Sequence, residues 1–203
     1  MDRKIHTGME LEHLVAKCVV LEKKNTMPGK VDKPLQNRAI QGILEQEKFM
    51  TKILFICHGN ICRSTMAQYV MQYLVDKRGL SDCFYIDSAA TSREEIGNGV
   101  HHGTRAKLRE VGIPCGDHRA RQMTRGDYEE YDYLIGMDTW NIRNMNRIVG
   151  ADPDHKIHKL LEYTNRGGDI ADPWYTGDFD ETYRDVSEGC EGLLAHILKE
   201  DMD

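Results

Sequence analysis

The hydrophobic positions from residue 52 onwards fall into two alternating patterns. Short apolar runs, typical of buried strands, occupy residues 52–57, 83–89, 131–137 and 155–161. Apolar residues at helical spacing occur within residues 65–79, 103–113, 138–150 and 180–199. The apolar stripe of the last helix comprises Tyr183, Val186, Cys190, Leu193, Leu194 and Ile197. This β-α alternation predicts an α/β fold, a four-stranded parallel sheet flanked by helices on both faces.

Residues 1–50 have a different character. Apolar residues recur at helical spacing over 11–19 and 40–44, on either side of the Pro- and Gly-containing stretch NTMPGKVDKP. The pattern predicts two amphipathic helices and contains no candidate catalytic group. We therefore divide the chain into a helical N-terminal extension over residues 1–50 and an α/β domain over residues 51–203.

Composition and charge argue against two classes of binding partner, nucleic acids and membranes. With 33 acidic and 27 basic residues the net charge is −6, which argues against a broad nucleic-acid-binding face. No apolar run approaches the roughly 20 residues that span a bilayer. The N-terminus also lacks the apolar core of a signal peptide. We expect a cytoplasmic protein that binds neither nucleic acid nor membrane.

The first strand leads into the stretch ILFICHGNICRST, residues 53–65. Ligands of parallel α/β sheets bind beyond the carboxyl ends of the strands, where this stretch is expected to lie. Gly59 and Asn60 tolerate the positive φ that an inward-turned loop needs. The loop amides and the N-terminus of the following helix then favour an anion. Arg63, six positions after Cys57, can grip two oxygens of a tetrahedral oxyanion with its planar fork.

Cys57 is expected at the floor of this anion cradle, where the surrounding donors favour the thiolate. A thiolate beneath a bound phosphate is a nucleophile directed at phosphorus, and Ser64 can donate a hydrogen bond to it. Displacement of an alkoxide or phenoxide also needs a general acid. Asp172 is the candidate, because the proline that follows it restricts its backbone to extended conformations. The adjacent Trp174 and Tyr175 could line a slot for an aromatic substrate.

Two other interpretations of the loop have less support. Cys57, His58 and Cys62 supply too few ligands for a zinc site, since no second Cys/His pair with finger spacing follows. The nucleotide-binding pattern that ends in Gly-Lys-Ser/Thr is absent. A site for a phosphate ester is therefore the favoured interpretation, with no metal ligands assigned.

Several motifs resemble segments of the low-molecular-weight protein tyrosine phosphatase family, in its bacterial type. ILFICHGNICRSTMAQ resembles the signature loop and following helix, and DPWYTGDFDETY resembles the general-acid loop. DSAATS, HRARQ and GMDTWNIRNM resemble intervening segments in the same order. The resemblance covers residues 51–200 and implies that residues 51–203 form a phosphatase catalytic domain. It implies a hydrolase that needs no metal or organic cofactor.

The resemblance also implies a role for each matching residue. Cys57 matches the nucleophile that forms a phosphocysteine, Arg63 the phosphate-binding residue, and Asp172 the general acid that later serves as a base. Cys62 matches a neighbour that forms a reversible disulfide with the nucleophile under oxidation. The residues that match a supporting hydrogen-bond network are Asn60, Ser64, Ser88 and His118. Those expected to bind substrate are His58, Gly59, Asn60, Ile61, Cys62, Trp174 and Tyr175.

Three features depart from the family pattern. Thr65 stands where a proline is usual after Arg-Ser. Glu94 and Glu95 stand where animal relatives place an aromatic residue and an asparagine, and Trp174 replaces the first tyrosine of their acid loop. The two glutamates are expected to remove one wall of the substrate slot and to add negative charge there.

Three alternatives to a tyrosine phosphatase stay open. Protein-arginine phosphatases resemble this loop but have threonine where Ile61 stands, and the isoleucine favours an aryl phosphate. Arsenate reductases of this fold need further cysteines, and none lies between Cys115 and Cys190. A non-catalytic phosphate-binding module is disfavoured by the complete set of acid, nucleophile and arginine. We expect the substrate to be a phosphotyrosine-containing protein or a small aryl phosphate, and the enzyme to be a monomer or a weak dimer.

Overall fold

A four-stranded, fully parallel sheet forms the centre of the computed structural model, which describes residues 50–200. Its strands are β1 (Thr51–Cys57), β2 (Phe84–Ala90), β3 (Tyr133–Gly136) and β4 (Ile157–Lys159). They are arranged in the order β2-β1-β3-β4. The predicted parallel sheet is therefore confirmed, whereas the predicted helices of the N-terminal extension lie outside the described residues.

The described helices connect these strands or follow the last of them. They are α1 (Arg63–Lys77), α2 (His102–Glu110), α3 (Gly126–Glu130), α4 (Thr139–Val149), α5 (Pro173–Thr176) and α6 (Phe179–Glu200). Short 3-10 helices occupy Ser81–Cys83 and Leu160–Tyr163. The four helices expected from periodicity are present with ends shifted by up to three residues. The short helices α3 and α5 span too few residues to produce a periodic pattern.

Alternate residues of β1 supply the two sides of the core, as the period-two geometry of a strand requires. Ile53 and Phe55 are fully buried in a cluster that includes residues of α1 and α6. Leu54 and Ile56 are fully buried in a second cluster with residues of α3 and α4. Helices therefore cover both faces of the sheet, as predicted.

The third and fourth strands are shorter than the apolar runs that predicted them. β4 pairs with β3 over only three positions, and the chain then turns into the 3-10 helix at Leu160. Glycines of α6 make room for this turn, since a Cβ on Gly192 would lie 2.2 Å from the carbonyl oxygen of Tyr163. The predicted strand over residues 155–161 thus combines a strand with a buried 3-10 turn.

The strand order places one loop at a special point of the sheet. From β1 the chain passes to β2 on one side, and β3 then forms on the opposite side of β1. Ligands of open α/β sheets bind at such a switch point, outside the carboxyl ends of the strands. The loop over residues 58–62, between β1 and α1, starts there. Within the described part of the chain, no helix is long and apolar enough to cross a membrane.

Candidate active site

Hydrogen bonds from neighbouring segments fix the loop that follows Cys57. The carbonyl oxygen of Cys57 accepts from the amide of Thr91 at 2.8 Å, and that of His58 accepts from Ser92 at 3.0 Å. The carbonyl oxygen of Ile61 accepts from the amide of His101 at 2.8 Å. With these carbonyl groups bound to surrounding segments, the loop is held in a conformation in which amides can face Cys57.

Asn60 is the residue that turns the loop inward. It is fully buried, with a positive φ of 60°, and its amide nitrogen donates to Cys57 Sγ at 3.2 Å. Gly59, the other loop residue that tolerates positive φ, is not among the described residues that have it. A glycine is needed at position 59 because the Glu95 side chain packs closely against it: a Cβ there would lie 3.1 Å from Cγ of Glu95.

The Asn60 side chain organises a buried polar network beneath the loop. Its Nδ2 donates to Ser64 Oγ at 3.0 Å and to Ser88 Oγ at 2.8 Å, and its Oδ1 accepts from the amide of Arg121 at 3.1 Å. Ser88 Oγ in turn donates to Oε1 of Gln68 at 2.6 Å. The sequence-predicted network residues are therefore in direct contact with one another, apart from His118, which contacts the loop backbone.

Ser64 Oγ lies 3.1 Å from Cys57 Sγ. Since Ser64 Oγ already accepts a hydrogen bond from Asn60, its own proton is free to be directed at the sulfur. Together with the Asn60 amide, this hydroxyl gives Cys57 two donors that favour negative charge on the sulfur. Cys57 itself is 3% exposed at the end of β1.

His118 supports the loop through the backbone of Asn60. Its Nε2 lies 2.9 Å from the carbonyl oxygen of Asn60, so Nε2 carries the hydrogen in this contact. Burial lowers the pKa of His118 below its ordinary value of 6.5, even though the contact with Asn60 favours the protonated ring. A neutral imidazole that donates from Nε2 therefore suits this position.

Arg63 occupies a buried position between two carboxylates. Its Nη1 contacts Asp138 Oδ2 at 2.5 Å and its Nη2 contacts Asp172 Oδ2 at 2.5 Å. Burial opposes the positive charge, but Cys57, Asp172 and Asp138 outweigh it and raise the pKa of Arg63. Nε of Arg63 is buried and has no hydrogen-bond partner among the described residues, so one donor remains for an incoming anion.

Asp172 caps the short helix α5, where the predicted Asp-Pro pair adopts the expected local structure. The aspartate is extended, with φ −82° and ψ 114°, and its Oδ1 accepts from the amide of Trp174 at 3.1 Å. Asp172 also lines a cavity of about 120 Å³. The cavity is lined by Cys57, His58, Gly59, Ile61, Cys62, Glu94, Glu95, Asp172, Trp174 and Tyr175.

The apolar and aromatic walls of the cavity differ in exposure. Ile61 is 8% exposed and belongs to a small cluster with Cys62 and Ala120, whereas Trp174 and Tyr175 are exposed at the entrance. Every sequence-predicted substrate-binding residue except Asn60 lines this cavity. Asn60 instead lies fully buried beneath it.

Cys62 is a free, buried thiol in the same loop as the free thiol of Cys57. Burial, with the nearby charges of Cys57 and Asp172, raises the pKa of Cys62 to about 12. The Cys62 side chain is therefore a neutral thiol at neutral pH, chemically distinct from Cys57, which has two donors directed at its sulfur.

Two features of the site were not predicted from the sequence. Asp138 caps helix α4, since its Oδ1 accepts from the amide of Asn141 at 2.6 Å. Its other oxygen, Oδ2, accepts a hydrogen bond from Arg63. The two residues are 75 positions apart in the chain, so no local sequence pattern indicates this contact. The carbonyl oxygen of Ile170 also accepts from Arg63, at 3.1 Å.

Thr65, the departure from the usual proline, fits the first turn of α1. It is fully buried, and its hydroxyl donates to the carbonyl oxygen of Cys62 at 2.8 Å. The substitution therefore adds a local hydrogen bond at the helix start. Among residues 50–200, no group of three or more His, Cys, Asp and Glu side chains is arranged to hold a metal ion.

At the switch point of the parallel sheet, a thiol that accepts from a loop amide and a carboxylate line one cavity, and a buried arginine pairs with that carboxylate. This is the arrangement of a phosphate-binding α/β protein with a candidate nucleophile. The family model described as low molecular weight phosphotyrosine protein phosphatase matches residues 52–203. The chain belongs to this family of hydrolases, and its class is that of the low molecular weight protein-tyrosine phosphatases.

Relatives of known structure share this fold. The low molecular weight protein-tyrosine-phosphatase YfkJ of Bacillus subtilis is 40% identical over 153 residues, which cover 74% of this chain and 98% of YfkJ. The crystal structure of YfkJ matches with a TM-score of 0.73 and covers 74% of this chain and 96% of that one. SP-PTP from Streptococcus pyogenes is 41% identical with a TM-score of 0.66, over 72% of this chain and 93% of that one.

One similar structure is that of a protein named as an arginine phosphatase. The Drosophila arginine phosphatase DARP is 30% identical to this chain, with a TM-score of 0.67, and the match covers 72% of this chain and 98% of DARP. The fold alone therefore does not separate tyrosine from arginine phosphatases.

Proposed function

We propose that this enzyme hydrolyses phosphotyrosine through a phosphocysteine on Cys57. The observation that carries the proposal is the proximity of Cys57, Arg63 and Asp172: the thiol and the aspartate line one cavity, and the arginine contacts the aspartate. These groups supply the nucleophile, the anion clamp and the proton donor that displacement at phosphorus requires.

In the first step the Cys57 thiolate attacks phosphorus and the bond from phosphorus to the tyrosyl oxygen breaks. Asp172 gives its proton to the departing phenolate, so that the leaving group departs as neutral tyrosine. Loop amides and the Arg63 fork stabilise the charge that develops on the three equatorial oxygens. The second donor on Cys57, Ser64, stabilises the thiolate before the attack and when it leaves.

The Arg63–Asp172 ion pair must open before Asp172 can act as an acid. An arriving phosphate dianion competes for the Nη2 that now contacts Asp172, while Asp138 keeps its contact with Nη1. A carboxylate released from a cation and placed beside an oxyanion binds a proton more readily. Substrate binding and protonation of Asp172 are therefore coupled through one arginine.

In the second step Asp172 accepts a proton from water as the water oxygen attacks phosphorus. The bond from phosphorus to Cys57 Sγ breaks, inorganic phosphate leaves and the thiolate is restored. Asn60, Ser64, Ser88 and His118 hold the loop through both steps by the contacts described above. No step calls for a metal or an organic cofactor.

The walls of the cavity support an aryl substrate. Ile61 offers an apolar side chain near the floor, and Trp174 and Tyr175 can flank a ring at the entrance. His58, Gly59 and Cys62 complete the contact with the phosphate group through the loop. An arginine phosphatase is the second candidate, because of the similarity to DARP, and Ile61 is the residue that favours tyrosine.

The decisive test compares hydrolysis of a phosphotyrosine peptide and a phosphoarginine peptide of otherwise identical sequence. We expect the phosphotyrosine peptide to be turned over much faster; the reverse order would make the arginine phosphatase the correct assignment. Cys57→Ser should abolish turnover, whereas Cys115→Ser, which changes a free thiol that does not line the cavity, should retain it.

Oxidation by peroxide gives a second test of Cys57 as a reactive thiol. Peroxide converts the Cys57 thiolate to a sulfenic acid, with release of one oxygen of the peroxide as water. Attack by the sulfur of Cys62, with loss of a second water, then gives a Cys57–Cys62 disulfide that a dithiol can reduce. We expect peroxide to inactivate the enzyme and dithiol to restore it, and Cys62→Ser to impair this recovery.

We further propose that residues 51–203 form the catalytic domain and residues 1–50 an extension outside it. The match to YfkJ covers 98% of that protein and 74% of this chain, which supports this division. Activity on a small aryl phosphate should therefore survive removal of residues 1–49, and its loss would count against the division. The cytoplasmic location and the monomer or weak dimer expected from the sequence stay predictions.

A further inference from the structure

Two adjacent glutamates stand at the entrance of the cavity, on the turn that follows β2. Glu94 and Glu95 both line the cavity. Glu94 Oε2 lies 3.0 Å from Nε2 of His58, and its side chain is 72% exposed. Glu95 packs its stem against the loop, where its Cγ is the nearest neighbour of the site that a Gly59 Cβ would occupy. Both glutamates are therefore next to the loop over residues 57–62, here called the phosphate loop.

The turn that carries the glutamates is fixed at both ends. Thr91 and Ser92 donate their amides to the phosphate loop, and the amide of Gly97 donates to the carbonyl oxygen of Ala120 at 2.8 Å. Within the turn, Glu95 Oε2 accepts from Nδ2 of Asn98 at 2.6 Å. A neutral amide holds the Glu95 carboxylate in place without cancelling its charge.

The carboxylates that line the cavity are not offset by a lysine or arginine among the described lining residues. Asp172 adds a third carboxylate to the lining, and no lysine or arginine is among the described residues that line the cavity. Arg63 is buried against two aspartates, and Arg93, adjacent in sequence, is exposed and does not belong to the lining. The cavity entrance is therefore acidic, whereas the buried donors at its floor suit an anion.

From this arrangement we infer that Glu94 and Glu95 are specificity-determining residues that select phosphotyrosine peptides with lysine or arginine beside the phosphotyrosine. The phosphate group goes to the loop and the arginine clamp. A peptide chain whose phosphotyrosine occupies the cavity lies close to the two carboxylates that line it, which attract basic side chains and repel acidic ones. The inference rests on the proposed function and adds the class of peptide that the site prefers.

Charge pairs at a solvent-exposed entrance are weak individually and sensitive to salt. One exposed pair changes an equilibrium or a specificity ratio by about 1.5-fold to fivefold, and two carboxylates that favour one peptide and disfavour another combine these factors. We expect a kcat/KM ratio of about fivefold between peptides with lysine and with glutamate on both sides of the phosphotyrosine. Salt screens charges that lie further apart than the Debye length, which is about 10 Å at 0.1 M salt. The ratio should therefore fall as the salt concentration rises.

The test measures kcat/KM of the full chain on these two peptides at low and at high salt. The ratio should fall towards one at high salt, and in Glu94→Gln/Glu95→Gln it should be close to one at low salt as well. The matched control is Glu129→Gln/Glu130→Gln, two adjacent exposed glutamates on α3 that do not line the cavity. The control removes the same net charge and should keep the wild-type ratio.

Because each ratio is measured within one variant, a general loss of activity does not affect it. Equal rates on the two peptides, a ratio independent of salt, or an unchanged ratio in the Glu94/Glu95 variant would overturn the inference while leaving the phosphatase assignment intact. If that variant does not fold, the salt dependence of the wild-type ratio still decides. Failure to hydrolyse either peptide or p-nitrophenyl phosphate would instead overturn the proposed function, and the inference with it.

Discussion

Replacing Asn60 with alanine tests the network on which the phosphate loop depends. Alanine loses the three side-chain hydrogen bonds that Asn60 makes to Ser64 Oγ, Ser88 Oγ and the amide of Arg121. At about 1 kcal/mol net for each bond, this loss is about 3 kcal/mol. Alanine at a φ of 60° costs a further ~1 kcal/mol. The free energy of unfolding should therefore fall by about 4 kcal/mol.

Asn60→Gly separates the two contributions. Glycine loses the same hydrogen bonds but accepts the left-handed conformation without strain, so we expect it to be destabilised by about 3 kcal/mol. Asn146→Ala is the control, because this exposed asparagine lies in helix α4, where alanine is the preferred residue. It should leave the free energy of unfolding within about 0.5 kcal/mol of the wild type.

Urea unfolding followed by circular dichroism gives these free energies, and inhibition by inorganic phosphate reports on the loop itself. Both Asn60 variants should bind phosphate more weakly, since the amide directed at Cys57 loses its support. A loss below about 1 kcal/mol in Asn60→Ala would refute the reasoning. So would an Asn60→Gly variant that is less stable than Asn60→Ala.

Three further predictions concern other parts of the structure. Burial lowers the pKa of His118 below 6.5, so its NMR titration should have a midpoint below 6.5. The free energy of unfolding should decrease as pH falls below 6.5, because the unfolded chain then takes up the proton more readily than the folded one. Iodoacetamide at neutral pH should alkylate Cys57 and spare Cys62, whose pKa is raised to about 12, as peptide mass mapping would show. Gly192→Ala should lower the free energy of unfolding by about 1–3 kcal/mol despite its helical position, since its Cβ would meet the carbonyl oxygen of Tyr163.

Each of these has a clear contrary outcome. A His118 midpoint at or above 6.5 would contradict the lowered pKa of its buried ring. Equal labelling of Cys57 and Cys62, which are buried to a similar degree, would contradict the raised pKa of Cys62. For the helix, Glu191→Ala is the control, because this neighbour is exposed. If Gly192→Ala were as stable as Glu191→Ala, the close approach of α6 to the 3-10 helix would be wrong.

The strands and long helices could be predicted because their signals are local. The apolar run over residues 52–57 became β1 nearly unchanged, and Asp138 was recognisable as the cap of α4. The length of the fourth strand was overestimated because Leu160 and Leu161 are buried in a 3-10 helix and not in the strand. Apolar character alone does not distinguish these two kinds of burial.

The candidate site was predictable where chemistry and sequence spacing coincide, as in the loop from Cys57 to Arg63. The second role of Asp138 was not, because its contact with Arg63 depends on how the ends of β1 and β3 meet. The packing role of Gly59 was not predictable for a similar reason. Its neighbour Glu95 lies far along the chain, and only the folded structure shows that the space is needed for packing and not for positive φ.

The most direct test of the central claim is to trap the phosphocysteine. In Asp172→Ala, p-nitrophenyl phosphate still supplies a leaving group that needs little protonation, whereas the water of the second step loses its base. Quenching under denaturing conditions followed by peptide mass mapping should then find one phosphoryl group on Cys57, formed together with a burst of p-nitrophenol equal to the enzyme concentration. Continued turnover with no adduct, or an adduct on another residue, would contradict the mechanism.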